Sequence, residues 1–124
     1  VNSKRPVNLD ITTIKLPLPA YTSILHRLSG ILLFIGAGLL IYALDLSLAS
    51  EESFAELKAL MSSGLAKFIL WFLLSGLIYH FVAGVKHLLM DIGIGEELES
   101  GRAGSVLTIV VSAALIVLAG VWVW

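Results

Sequence analysis

The sequence contains no cysteine. Thiolate-held iron–sulfur clusters, disulfides and Cys-type zinc sites are therefore excluded within this chain. Histidine, with three copies, is left as the natural ligand for any metal. Charge is also scarce, at 14% of residues against 58% hydrophobic, where a soluble domain carries about 25% charged residues. That deficit places the chain in the membrane class. With a net charge of −1 there is no basic surplus to hold a nucleic acid. No Gly-rich phosphate loop follows a strand-like run, and no two-residue alternation of apolar side chains is visible, which argues against a nucleotide site. No small-residue cleavage pattern closes the first apolar run, so it reads as a retained helix, not a signal peptide.

What is present is three long apolar runs. A helix crossing the hydrocarbon core needs about 20 mostly apolar residues. Residues 20–44, 65–90 and 105–124 meet that requirement. The stretch 28–44 is uncharged, 68–85 has only His80 as an ionisable group, and 105–124 carries no charge. The expected fold is all-α: an integral membrane protein of three transmembrane helices. Around the spans the reading places an N-terminal arm at 1–19, a first loop at 45–64 and a second, acidic loop at 91–104. Pro17 and Pro19 are expected to stop helical structure before the first span. In the first loop, Ser53 and Glu56 have capping-box spacing ahead of Leu57, Leu60 and Met61, which predicts a short amphipathic helix at the membrane surface.

The distribution of lysine and arginine sets the expected orientation. The arm and the start of the first helix hold Lys4, Arg5, Lys15 and Arg27. The first loop and its edge hold Lys58 and Lys67 against Asp45, Glu51, Glu52 and Glu56. The bias puts the N-terminus inside, the 91–104 loop cytoplasmic, the 45–64 loop periplasmic and the C-terminus outside. Trp122 and Trp124 then fit an aromatic belt at the outer interface.

Ionisable residues inside a span are costly and tend to be functional. His80 lies ten residues before Met90, hence about 15 Å into its helix, too deep for imidazole to reach water. Gly76 and Gly84 lie four residues to either side on the same face, which leaves room for a flat macrocycle to approach the backbone. His87 follows on that face, nearer the inner surface. A ligating imidazole donates its other N–H to an acceptor, and the Gly76 carbonyl is a candidate. The alternative is that His80 bonds across to another helix and the glycines serve helix packing alone.

A second cluster lies on the first helix. Ser23, Arg27 and Gly30 share a face, with His26 beside them. Arg27 sits about two turns into the helix, so its charge can either snorkel to the inner surface or join Ser23 in donating to a carbonyl or carboxylate of a ligand such as a quinone or a haem propionate. Lys86 reads as a snorkelling anchor. Asp91, at an unfavourable helix C-terminus, reads as a solvated charge or a partner for Lys86. Gly36, Gly38, Ser112, Ala113, Ala119 and Gly120 read as helix-packing positions.

Three stretches carry a family likeness: RPVNL at 5–9, SILHRLSG at 23–30 and HFVAGVKHLLMD at 80–91. On these the chain resembles the cytochrome b556 membrane-anchor subunits of bacterial succinate dehydrogenase, and the span lengths extend the likeness over essentially the whole chain. The resemblance implies that His80 is an axial ligand to the iron of a haem b, shared with a histidine on a second small membrane-anchor subunit. It implies ubiquinone binding by Ser23 and Arg27, with His26, Arg27 and His87 in the region of the haem propionates and Gly76 and Gly84 forming the approach face. It further implies a bacterial inner-membrane location and electron delivery from succinate through a flavoprotein and an iron–sulfur subunit on the cytoplasmic side. One departure is Lys86, which stands where many relatives carry arginine. It keeps the charge and loses the bidentate fork. Two readings from other classes stand beside this one: a structural anchor or assembly subunit without its own redox cofactor, and a proton-coupled transport subunit using His80 and Asp91. The latter is disfavoured by three spans with no internal repeat.

Overall fold

A computed structural model describes residues 16–124. The arm residues Lys4, Arg5 and Lys15 and the RPVNL stretch lie outside the described residues. Four α-helices follow one another: α1 (Leu18–Ala49), α2 (Glu51–Met61), α3 (Gly64–Asp91) and α4 (Leu98–Val123). Among the described residues three helices, α1, α3 and α4, are long and apolar enough to cross a membrane. α3 packs on both others and is the central helix.

The helix ends differ from the sequence reading in ways the local chemistry explains. α1 starts at Leu18 with Pro17 as its N-cap, so Pro19 lies inside the first turn. Proline is tolerated there because first-turn amides have no intrahelical partner. At its other end α1 continues past 44 to Ala49, because Asp45 lies at the helix end and not in a loop. Ser50, and not Ser53, caps α2, its hydroxyl accepting from the Ser53 amide at 2.9 Å. The Ser53 hydroxyl instead donates back to the Leu46 carbonyl at 2.7 Å. Glu51 and Glu52 in the first turn and Lys58 in the last suit the helix dipole. Leu57, Leu60 and Met61 meet Leu39, Tyr42 and Leu46 of α1 and Ile69 and Leu70 of α3 around one apolar cleft.

Ser63 caps α3 by accepting from the Ala66 amide at 3.2 Å. After Asp91 the chain turns through Gly93 and Gly95, whose φ of 90° and 78° suit glycine. α4 begins seven residues before position 105, taking in Gly101 and Gly104, which the sequence reading left in the loop.

Burial runs opposite to that of a soluble protein. Ala83 is the one buried hydrophobic residue among those described, whereas Thr22, Ser29, Ser105, Thr108 and Ser112 are buried. Large apolar side chains such as Phe34, Leu48, Val121 and Trp122 point outward. Helix association in lipid relies on close packing of small residues and on interhelical hydrogen bonds, and both occur here. A Cβ on Gly36 would meet Leu73 at 3.1 Å, and one on Gly120 would meet the Trp71 indole at 3.0 Å. Gly38 has nothing within 4 Å and Ala113 is exposed, so these two are not packing positions between the described helices.

Candidate functional site

His80 sits on the face of α3 that meets α1. Its Nδ1 lies 2.9 Å from the Ser29 hydroxyl oxygen and 3.2 Å from the His26 carbonyl oxygen. The Ser29 hydroxyl itself donates to the His26 carbonyl at 2.6 Å. A hydroxyl has a single proton. With that proton on the carbonyl, Ser29 Oγ can only accept from His80, and the carbonyl oxygen can do nothing else. Nδ1 therefore carries the imidazole proton and Nε2 holds the lone pair. The acceptors are on α1, not at the Gly76 carbonyl on the same helix.

Three imidazoles gather at this point. The His26 ring stacks on His80 with centroids 4.1 Å apart and planes 10° from parallel. His87 lies on the other side of His26, 5.0 Å centroid to centroid and tilted by 50°. One glycine stands where a side chain would crowd the cluster, and a second where it would only touch it. A Cβ on Gly30 would come 3.2 Å from His80 Cε1, and one on Gly84 would come 3.6 Å from His26 Nε2. Gly76 does different work: a Cβ there would meet Leu32 Cδ2 at 2.7 Å. The Gly76 side of α3 thus lies against an α1 leucine, a contact that suits the helix-packing role, one of the two open from the sequence.

Ser23 is half-buried and Arg27 exposed. At about 3.6 residues per turn, both fall on the stripe of α1 beside His26, on the side away from the buried Thr22, Ser29 and Gly36. They face outward at the edge of the imidazole cluster. Sequence reasoning missed Ser29 as a partner of His80. Its signal is the seven-residue spacing Thr22–Ser29–Gly36, which marks the packed face of α1.

A second polar group was also missed. Lys86 does not snorkel: its Nζ donates to Thr22 Oγ1 and to Ser105 Oγ, each at 3.1 Å. Asp91 remains exposed.

Chemically, the cluster offers one aromatic nitrogen ligand with a fixed tautomer. Among the described residues no three His, Asp or Glu side chains are arranged to hold a metal ion. A metal bound through His80 would need further ligands from beyond these side chains, as the iron of a porphyrin has from its macrocycle. An N–H anchored at Nδ1 and a lone pair at Nε2 is the state such an iron requires, so the residues present fit that group.

Comparison with known proteins agrees with this chemistry. A family model described as the succinate dehydrogenase/fumarate reductase transmembrane subunit matches residues 1–119. The succinate dehydrogenase cytochrome b556 subunit of Coxiella burnetii is 45% identical, with 100% of both chains covered. That of Paracoccus denitrificans is 35% identical over 92% of this chain and 88% of its own. The human mitochondrial succinate dehydrogenase cytochrome b560 subunit is 35% identical over 93% of this chain and 72% of its own.

Proposed function

Because the chain belongs to the succinate dehydrogenase/fumarate reductase transmembrane subunit family, we propose that it is the haem b-binding membrane anchor of a succinate dehydrogenase and forms part of its ubiquinone-reducing site. The observation that carries this reading is the placement of His80 Nδ1 against two α1 oxygens, Ser29 Oγ at 2.9 Å and the His26 carbonyl at 3.2 Å, which leaves Nε2 as the ligating nitrogen.

His80 would hold the haem iron through Nε2, together with a histidine of a second small anchor subunit. Haem b, when bound, provides a one-electron carrier between the two chains. His26, Arg27 and His87 would pair with its propionates, with Gly84 on its approach face. Ser23 donates a hydrogen bond to a ubiquinone carbonyl. Arg27 adds a permanent positive charge that favours negative charge building up on the quinone oxygen. The two protons that accompany the two electrons reach the quinone through water or a partner residue. The flavoprotein and iron–sulfur subunits dock on the cytoplasmic face of a bacterial inner membrane, the side to which the N-terminal arm and the 91–104 loop are assigned.

The test is a reduced-minus-oxidised haem spectrum of the purified complex, with and without carbon monoxide. His80→Ala is expected either to lose the haem or to leave a five-coordinate haem that binds carbon monoxide. An unaltered six-coordinate spectrum that ignores carbon monoxide would remove His80 as ligand and leave a structural anchor as the better reading.

A further inference from the structure

Lys86 forms the centre of a polar knot that the proposed haem and quinone chemistry does not use. Its stem leaves α3 only five residues before the helix end at Asp91, so four methylenes could carry the ammonium to the inner surface. It turns inward instead, onto two of the most buried side chains in the protein: Thr22 is 1% exposed and Ser105 0%. The stem runs past Gly104, where an added Cβ would touch Lys86 Cε at 3.9 Å.

The protons of this knot have one consistent arrangement. The Thr22 hydroxyl donates to the Pro19 carbonyl at 2.9 Å. Its lone pairs then accept from Lys86 at 3.1 Å and from Ser105, 3.2 Å away. Ser105, having given its proton to Thr22, accepts from Lys86 at 3.1 Å. Tyr79 completes the enclosure by donating to the Thr22 backbone carbonyl at 2.6 Å. The ammonium is the only member with protons to spare, so it is what draws two hydroxyl oxygens from α1 and α4 to one point. Removing it leaves Ser105 Oγ without a donor and Thr22 Oγ1 with only the Ser105 proton to accept.

The start of α1 has particular need of this tie. Its N-cap, Pro17, makes no side-chain hydrogen bond, and no acidic residue occupies the first turn. Both usual means of fixing a helix N-terminus are missing. Thr22 is held from α3 and α4 instead, and Ser23 is the next residue.

We propose that Lys86 is a positioning residue for the quinone-binding edge of α1: by tying Thr22 to Ser105 it holds the turn that carries Ser23 and Arg27 against α3 and α4. The proposal rests on Ser23 and Arg27 binding quinone. It assigns Lys86 no contact with quinone or haem.

The experiment uses the assembled complex in membranes. Quinone KM and kcat are measured with succinate as donor, normalised to succinate oxidation by an artificial acceptor that bypasses the quinone site. Lys86→Met is expected to raise quinone KM about ten- to 150-fold, the range that loss of one hydrogen bond from a charged group produces. Lys86→Arg, which keeps two N–H donors and the charge, should stay within about twofold. Thr22→Val should raise KM less when added to Lys86→Met than it does alone, because the Lys86 bond is already gone and only the Ser105–Thr22 bond at 3.2 Å is left to lose. Arg27→Leu is the control on the quinone site. If it raises KM and Lys86→Met does not, the positioning role is overturned while the site stands. If Arg27→Leu leaves KM unchanged, the α1 quinone edge falls and the proposal with it. A drop in kcat at constant KM in Lys86→Met also overturns the proposal. Should Lys86→Met fail to assemble, Thr22→Val and Ser105→Ala carry the test: a raised KM in both supports the tie, and an unchanged KM overturns it.

Discussion

Ser29 Oγ and His80 Nδ1 lie 2.9 Å apart although their helices meet from opposite sides of a 51-residue separation in sequence. Since the Ser29 proton is held by the His26 carbonyl, the serine orients an imidazole and fixes its tautomer without competing for the ligating nitrogen. Ser29→Ala removes one of two acceptors from Nδ1–H and leaves the His26 carbonyl at 3.2 Å. The expected result is a complex that still contains haem but binds it about 10- to 100-fold less tightly, the usual effect of losing an outer partner of a metal-bound histidine. Haem retention during washing of the purified complex measures this. Full retention would mean that the carbonyl alone orients the ring.

Gly30 and Gly76 separate site from scaffold. Gly30→Leu cannot be accommodated, since the first atom of the new side chain would already lie 3.2 Å from His80 Cε1, and the remainder would displace the imidazole. Haem content is expected to fall to background. Gly76→Ala pushes only on the tip of Leu32, a flexible methyl that can rotate away at small cost. Haem content should stay at the level of the unsubstituted protein. Loss of haem in Gly76→Ala would restore Gly76 to the haem-approach face implied by the family resemblance.

How much of this was readable in advance follows from the range of the forces involved. The three spans declare themselves, because an apolar run long enough to cross a bilayer needs no knowledge of its neighbours. His80, His26 and Arg27 stand out for the same reason: a titratable group in such a run is conspicuous alone. Ser29 and Lys86 were not legible in their roles. A serine in a membrane helix has many innocent uses, and a lysine near a helix end normally snorkels. What decides otherwise is the rotation of α1 about its axis relative to α3, which brings Thr22 to Lys86 across 64 residues of sequence. A polar or small residue near the end of an apolar run does not stop these helices. Asp45, Gly101 and Gly104 all lie inside helices, because lengths beyond the bilayer are set by packing and not by polarity.

At the opposite end from the proposed site, Trp71 fastens α3 to α4. Its indole N–H donates to the Ile116 carbonyl at 2.9 Å, and its ring meets Trp124 edge-on at 6.1 Å. Trp71→Phe keeps most of the bulk and loses the donor. The expected cost is about 1 kcal/mol, within the range of interhelical bonds in membranes. It should appear as a lower Tm of the purified complex with quinone KM unchanged. A raised KM would show that this end of the bundle communicates with Ser23 and Arg27.

The orientation argued from lysine and arginine can be checked with a label, and the lack of native cysteine makes this chain well suited to it. Glu97, immediately before α4, and Glu56, on α2, are both exposed and lie in the two loops assigned to opposite sides. A membrane-impermeant maleimide applied to intact spheroplasts should modify Glu56→Cys and spare Glu97→Cys, with the reverse pattern in inside-out vesicles. Because the chain's other residues cannot react, a labelled band of this subunit's size reports one position only. Labelling of Glu97→Cys from outside would invert the topology. It would also place His87 and Lys86 at the outer surface, far from electrons delivered on the cytoplasmic side, and so remove the proposed quinone edge from the side where those electrons arrive.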